Sequence, residues 1–172
     1  MTRILAIDTT SQACSVALTD CGVLTEEFAV MPKLHARQIL PMVDRIITQS
    51  GYELADLDAI AFANGPGSFT GIRIATGVAQ GLAFGVDLPL VPVSSLAVLA
   101  QNCSRKRDQS NTMVAIDARM DQVYWACYRQ VEGLAELQGE EQLASPECVE
   151  AGMVDDTQGS WFAVGDGWKY AE

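Results

Sequence analysis

The chain has 172 residues, enough for one compact domain or two small ones, and 49% of them are hydrophobic, as in proteins with a buried core. Its 22 acidic and 11 basic residues give a formal net charge of −11. Phosphate backbones are bound by clustered Lys and Arg, so this excess of acidic residues argues against tight binding of RNA by the chain alone.

The sequence predicts neither a membrane span nor a secretory signal peptide. No apolar run approaches the roughly 20 residues that span a bilayer, and the stretch Ile4–Ile7 is too short for the core of a signal peptide. The five cysteines are odd in number and form no CxxC pair, which fits reduced thiols. We therefore expect a cytoplasmic protein that does not bind membranes.

Residues 1–104 are predicted to form the first lobe of an α/β fold. Alternating and β-branched residues predict three strands joined by short turns, and apolar residues spaced by three and four then predict helices between buried strands. The predicted strands are 3–9, 13–19, 23–30, 58–63 and 88–93, and the predicted helices are 34–49, 69–84 and 94–102. Gly51 follows the first helix as an expected C-cap.

Residues 105–172 are predicted to form a second, apparently incomplete lobe. A polar stretch at 104–111 contains the basic run Arg105–Arg107 and is expected to be a loop. The pattern then restarts as an abbreviated copy of the first lobe. Strands are predicted at 113–117, 122–128, 136–143 and 161–164, a short helix at 146–154, and a turn at 165–167.

The order of the first block is β-β-β-α-β-α-β-α, a β-meander followed by right-handed β-α-β crossovers. This order is typical of one lobe of the actin-like, or ribonuclease H-like, fold.

Two loops are candidates for binding a nucleotide. Asp8, Thr9 and Thr10 follow the first strand, where backbone amides and hydroxyls can receive phosphate oxygens. The glycine-rich string 64–73 precedes a helix and includes Ser68, but it lacks the GK[ST] ending of a P-loop. In both loops a purely structural role, shaping a turn or capping a helix, is the favoured interpretation.

The helix predicted at 69–84 is unusually rich in small residues. Glycine inside a helix costs roughly 0.5–1 kcal/mol relative to alanine, so interior glycines suggest a compensating close approach of another backbone. That approach is either the helix's own sheet or a partner protein, and the sequence leaves both open. The small residues are Gly71, Ala75, Gly77, Ala79, Gly81 and Ala83.

No catalytic residue or metal site stands out. His35 is the single histidine, so no multi-histidine metal site or HExxH motif can form. No GxSxG nucleophile elbow is present either. We assign no catalytic residue, no metal and no cofactor.

Several strings of the sequence resemble the TsaB (YeaZ) family. The most specific is the run GPGSFTGIR within 64–73. The others are Ile7–Thr10, Gln80–Ala83, Pro92–Leu96, Ala115–Met120, Tyr124–Trp125 and Gly165–Gly167.

The resemblance implies an actin-like fold and a role in forming N6-threonylcarbamoyladenosine in tRNAs that read codons starting with A. In that family of complexes the catalytic work belongs to a larger homologue, TsaD, which carries a metal site. TsaB pairs with TsaD through helices of its N-terminal lobe, the ATPase TsaE joins them, and TsaB also forms homodimers. The chain would then be a non-catalytic subunit that meets tRNA only indirectly.

The position of the catalytic homologue's histidine-rich metal motif reads Val93–Val98 here, with hydroxyls in place of histidines or carboxylates. The chain is also shorter than expected for this family. Two other functions stay open on the sequence: a metallopeptidase of the glycoprotease type, and an actin-like module that binds or hydrolyses nucleotide.

The resemblance implies that a partner binds to two helices of the first lobe, and we choose the contact residues by their spacing and small size. Residues 1–86 hold eight acidic and five basic residues, so this half is less repulsive to another protein surface than the more acidic remainder. The predicted contact residues are Leu34, His35, Gln38, Pro41 and Met42 on the first helix, and Arg73, Ile74, Gly77, Val78 and Gly81 on the second.

Overall fold

A computed structural model describes residues 2–107, 111–149 and 160–170 of the chain. These residues divide into two compact units, Met1–Val93 and Ser94–Glu172. Within the described residues, no helix is long and apolar enough to cross a bilayer.

The first unit is a five-stranded sheet with two helices, and its five strands were all predicted. The three N-terminal strands form an antiparallel meander, and the next two strands run parallel to the first, in the order β3-β2-β1-β4-β5. The elements are β1 (Arg3–Asp8), β2 (Ala13–Asp20), β3 (Val23–Val30), α1 (His35–Ser50), β4 (Ala59–Ala63), α2 (Phe69–Val86) and β5 (Leu90–Val93).

Both helices pack on the same face of this sheet. Alternate residues of β1, such as Leu5 and Ile7, point to that face and are buried in one cluster with residues of α1 and α2. Helix α1 contains Pro41 and ends at Gly51, which adopts the left-handed conformation expected of a C-cap. The core of the first unit is therefore a single helix–sheet layer.

The second unit is a four-stranded sheet in the order β8-β7-β6-β9, with β9 parallel to β6. This order repeats the arrangement of β3, β2, β1 and β4 in the first unit. Its elements are α3 (Ser95–Arg107), β6 (Asn111–Arg119), β7 (Gln122–Val131), β8 (Leu134–Ala144) and β9 (Phe162–Val164).

Helix α3 departs from the prediction in length and in the unit to which it belongs. It continues to Arg107, so the basic run Arg105–Arg107 lies in its last turn and is not a loop. Arg and Lys favour helix, and Cys103 is buried on the inner side of the extended helix.

The inner side of α3 packs through Leu96 and Ala100 against Val114, Ala126 and Tyr128. The helix is thereby part of the second unit, and the division lies after Val93 instead of after residue 104.

The helix predicted at 146–154 is described only in part. Pro146–Cys148 form a single turn of 3-10 helix, and residues 150–154 lie outside the described part of the chain.

Candidate partner-binding surface

The loop after β1 is closed by its own hydrogen bonds. The backbone N–H and the hydroxyl of Thr10 both donate to Oδ1 of Asp8, each at 2.7 Å. The buried hydroxyl of Thr9 donates to the carbonyl oxygen of Gly71 at 2.6 Å, across 62 residues of sequence. The loop is therefore tied to the N-terminus of α2.

The glycine-rich loop completes this connection from the other side. The Ser68 N–H donates to the Thr10 carbonyl oxygen at 2.7 Å, and the Ser68 hydroxyl caps α2 by accepting from the Gly71 N–H at 3.2 Å. A Cβ at Gly67 would lie 2.6 Å from the Thr10 oxygen, and a Cβ at Gly71 would overlap the Thr9 oxygen.

The structure thus brings the nucleotide candidates Asp8, Thr9, Thr10 and Ser68 together, and it does so by bonding them to one another and to the backbone of α2. The glycines and hydroxyls of the two loops therefore have a structural role: they connect the end of β1 to the N-terminus of α2.

Two of the residues predicted for the partner surface on α1 are buried in the chain. Met42 is 0% exposed and belongs to the core of the first unit. The His35 ring is buried, with Nε2 lying 3.2 Å from the carbonyl oxygen of Ala13. Both side chains therefore pack inside the first unit and not on the outer side of α1.

The outer side of α1 carries other residues. Leu34 and Pro41 are exposed as predicted, and Gln38 is half-buried. Leu40, which the sequence prediction missed, is 50% exposed. The missed signal is the helical phase: Leu40 lies two residues from buried Met42, which places the two side chains on roughly opposite sides of the helix.

Helix α2 separates its small residues by side. Gly71, Ala75, Ala79 and Ala83 are buried against the sheet. Gly77 and Gly81 are exposed, and a Cβ built on either would meet no atom within 4 Å from the part of the chain that the structure describes. The predicted contact residue Arg73 is exposed beside them, whereas Ile74 and Val78 are half-buried and pack on the core.

An aromatic residue on the same helix was missed by the sequence prediction. Phe84 is 90% exposed, the largest exposed fraction among the large hydrophobic residues described. It follows Gly77 by seven residues, two helical turns, so it lies on the outer side of α2. A phenylalanine in an apolar helix is usually a core residue, so the exposure of Phe84 was not predicted from the sequence.

The two helices carry little negative charge. Arg73 is the single charged residue of the α2 sequence, and α1 contains Asp44 against Arg37 and Arg45. In a chain with a formal net charge of −11 this surface is close to neutral, so a second protein can approach it without strong electrostatic repulsion.

The second unit places a carboxylate at the corresponding hairpin. The Asp117 side chain, 6% exposed, accepts hydrogen bonds from Lys169 Nζ at 2.8 Å and from the Tyr170 hydroxyl at 3.1 Å. The hydrogen bond from Lys169, followed by one from the Arg119 N–H, lowers the Asp117 pKa to about 2. Asp117 is therefore held as an anion at the base of the β6–β7 turn.

The turn that follows β9 is packed against the backbone of β6. A Cβ at Gly165 would overlap the Ala115 carbonyl oxygen, and one at Gly167 would lie 2.8 Å from the Ala115 carbonyl carbon. Between them, Asp166 accepts a hydrogen bond from the Asp117 N–H at 2.9 Å. The GDG string is thus explained by close packing in the second unit.

Across residues 2–107, 111–149 and 160–170, no group of three or more His, Cys, Asp or Glu side chains is arranged to hold a metal ion. The Ser94 hydroxyl accepts from the N–H groups of Leu96 and Ala97 and caps α3.

The sequence of the chain is similar to that of several known proteins. The chain is 47% identical over 168 residues to the Escherichia coli strain K12 "tRNA threonylcarbamoyladenosine biosynthesis protein TsaB", covering 97% of this chain and 72% of that protein. It is 41% identical over 174 residues to the protein of the same name from Haemophilus influenzae, covering 96% and 72%. The chain belongs to the TsaB (YeaZ) family.

Two further matches agree with the TsaB assignment. Residues 3–160 match the family described as "TsaD: tRNA N6-adenosine threonylcarbamoyltransferase". The solved structure "YeaZ from Pseudomonas aeruginosa" is 46% identical and superposes with a TM-score of 0.94, covering 99% of this chain and 79% of that one. The predicted α/β, actin-like (ribonuclease H-like) fold is confirmed.

Proposed function

We propose that the chain is a non-catalytic subunit of the machinery that forms threonylcarbamoyladenosine in tRNA, and that it acts by binding and activating the catalytic homologue TsaD. The names of the TsaB relatives support the pathway. The observation that carries the binding role is the outer side of α1 and α2, where open glycines and exposed apolar side chains lie on a nearly neutral surface.

Gly77 and Gly81 on the outer side of α2 support the binding role most strongly. Gly77 and Gly81 each cost the helix roughly 0.5–1 kcal/mol relative to alanine. Among the described residues, no atom outside the helix's own neighbouring backbone lies within 4 Å of the Cβ that either glycine lacks. Glycines four residues apart allow a second helix to approach the backbone closely. A partner helix laid against this side of α2 would offset that cost.

The structure changes which residues we propose for the contact. From the sequence prediction, Leu34, Pro41, Arg73, Gly77 and Gly81 stay in the surface, and half-buried Gln38, Ile74 and Val78 form its margin. His35 and Met42 are removed, and Leu40 and Phe84 are added.

The proposed mechanism needs no chemistry from this chain. Binding to α1 and α2 would favour the active conformation of TsaD, because a ligand shifts a conformational equilibrium by its difference in affinity for the two states. The strongly acidic chain leaves tRNA binding to its partners. We further propose that TsaE joins this pair in the cytoplasm, and that the chain also associates with itself through the same side of α2.

A reconstituted reaction tests the proposal. Threonylcarbamoyl transfer to tRNA is measured with the TsaD-containing mixture, with that mixture plus this chain, and with this chain alone. We expect transfer in the complete mixture and none from the chain alone. Transfer by the chain alone, or an equal rate with and without it, would contradict the proposal.

A further inference from the structure

Four strands form the edges of the two described sheets: β3 and β5 in the first unit, and β8 and β9 in the second. An edge strand offers backbone N–H and C=O groups to another chain, so proteins shorten such strands or interrupt them with proline, bulges and charges. Strand β9 has three residues, β5 has four and contains Pro92, and β8 has a register shift between Gln138 and Gln142. These three edges are therefore poor templates for a further strand.

The edge strand β3 is longer and more regular. Its eight residues pair with β2 in an unbroken register from Val23 to Val30, and none of them is proline or glycine. Its charged residues are Glu26 and Glu27, and the Glu27 carboxylate accepts hydrogen bonds from Arg45 Nε at 3.0 and 3.1 Å. Glu26 is exposed and forms no salt bridge with any residue that the structure describes.

The hydrogen bonds of the ladder show which backbone groups of β3 point to the open edge. The Met31 N–H donates to the carbonyl oxygen of Gln12, its opposite residue in the register, at 3.0 Å. Hydrogen-bonded and non-bonded pairs alternate along an antiparallel ladder, and the N–H and C=O groups of a non-bonded pair point away from the partner strand. The outward-pointing groups therefore belong to Leu24, Glu26, Phe28 and Val30.

The side chains of the same four residues are exposed. Leu24, Phe28 and Val30 are 61%, 60% and 65% exposed. Their partners on β2 alternate with residues such as Val16 that are buried in the helix–sheet core, so the four side chains lie on the sheet face away from α1 and α2. A strand added beside β3 would find backbone partners and apolar side chains at the same positions.

We propose that β3 receives an extended segment of a partner protein as a further strand of the first sheet, and that this segment carries a basic residue between two apolar residues at alternate positions. The apolar residues would pack beside Leu24 and Phe28, and the basic residue would pair with Glu26. This edge is separate from the outer side of α1 and α2, so the proposal does not depend on the proposed function.

Charge favours a basic partner over a second copy of the chain. If β3 strands of two copies paired antiparallel over all eight residues, Glu26 of one copy would lie opposite Glu27 of the other, and like charges in that position are destabilising. Each copy also carries a formal net charge of −11. A basic segment is instead attracted both by Glu26 and by the charge of the whole chain.

Amide hydrogen exchange, measured residue by residue by NMR, tests the strand addition. The probe is a seven-residue peptide in which threonine alternates with valine, lysine and valine. In the free chain the amides of Leu24, Glu26 and Phe28 should exchange rapidly, because they point to solvent. At saturating peptide their exchange should slow by at least about tenfold, since they then donate to the added strand.

A charge reversal separates pairing at Glu26 from non-specific attraction to an acidic protein. The unchanged chain should bind the lysine peptide roughly fivefold more tightly than a peptide with glutamate in place of lysine, and Glu26→Lys should reverse that preference. Glu140→Lys, the same change at an exposed position of β8, should keep the original preference.

Three results would overturn the proposal. In the first, saturating lysine peptide leaves the exchange of the Leu24, Glu26 and Phe28 amides unchanged. In the second, Glu26→Lys and Glu140→Lys alter the peptide preference equally. In the third, these amides become protected without peptide as the concentration of the chain rises, because the added strand would then come from a second copy.

Discussion

Helix α2 has two sides that are both built from small residues, and they differ in what surrounds them. Gly71, Ala75, Ala79 and Ala83 recur every four residues and are buried on the sheet. Gly77 and Gly81 also lie four apart, but on the opposite side, where added side chains would meet open space. The spacing of small residues therefore indicates that another element can pack closely against the helix, but it does not identify that element. The burial of each residue is needed to tell which small residues face the chain's own sheet and which face outward.

Helix α1 likewise has a buried and an exposed side, and a substitution on its buried side is expected to have the largest effect on stability. Met42→Ala should cost about 2–5 kcal/mol of unfolding free energy, because it opens a cavity in the core. Leu40→Ala, two residues away and half exposed, should leave the unfolding free energy nearly unchanged and weaken binding to the catalytic homologue. Urea unfolding measures the stability of both variants, and a titration measures their binding to the catalytic homologue. An equal loss of unfolding free energy in both variants would contradict the assignment of Met42 to the core and Leu40 to the outer side of α1.

On α2 the matched pair is Gly71→Ala and Gly77→Ala. The first forces a methyl group onto the Thr9 carbonyl oxygen and should destabilise the chain by about 3 kcal/mol. The second places a methyl group in open space within a helix and should stabilise the chain by about 0.5–1 kcal/mol. In urea unfolding, Gly71→Ala should lower the free energy of unfolding and Gly77→Ala should raise it. A lower free energy of unfolding for both variants would mean that Gly77 is packed against another part of the chain.

In the second unit the smallest effect concerns Asp117. Its pKa is about 2 in the folded chain against about 3.9 in an unfolded chain. The stabilisation is therefore fully present above pH 4 and is lost as the pH falls towards 2. Asp117→Asn should lower the unfolding temperature at pH 7, and the difference from the unchanged chain should shrink between pH 4 and pH 2.

Asp121→Asn is the control for that series, since it makes the same chemical change at an exposed position of the same hairpin. A stability difference for Asp117→Asn that stays constant from pH 7 to pH 2 would show that the carboxylate charge is not its cause.

Order and type of the elements could be predicted because local signals agree along the first unit. Alternation marks β2 and β3, three-and-four spacing marks α1, and Ser68 and Gly51 mark helix ends where the structure has them. The polar end of α3 was missed, because Arg and Lys are compatible with both helix and loop and the buried side of that helix is set by the second unit.

The partner surface was harder to predict, because α1 has apolar residues around most of its circumference. Leu40 and Met42 flank Pro41, and nothing in their identities tells which one faces the sheet. Phe84 gave no signal either, since its exposure depends on where α2 sits over β4 and β5. Close approach of a partner at Gly77 and Gly81 stays a prediction, and the structure adds that both glycines lie on the outer side of α2.

The most direct test of the account is a calorimetric titration of the catalytic homologue with the unchanged chain, Gly77→Leu and Glu140→Leu. Glu140 is exposed on β8, so its substitution adds the same side chain on the other unit. We expect Gly77→Leu to bind on the order of 100-fold more weakly through steric clash, with an unchanged circular dichroism spectrum, and Glu140→Leu to bind normally. If folded Gly77→Leu binds as tightly as the unchanged chain, the outer side of α2 is not the partner surface and the central claim is wrong.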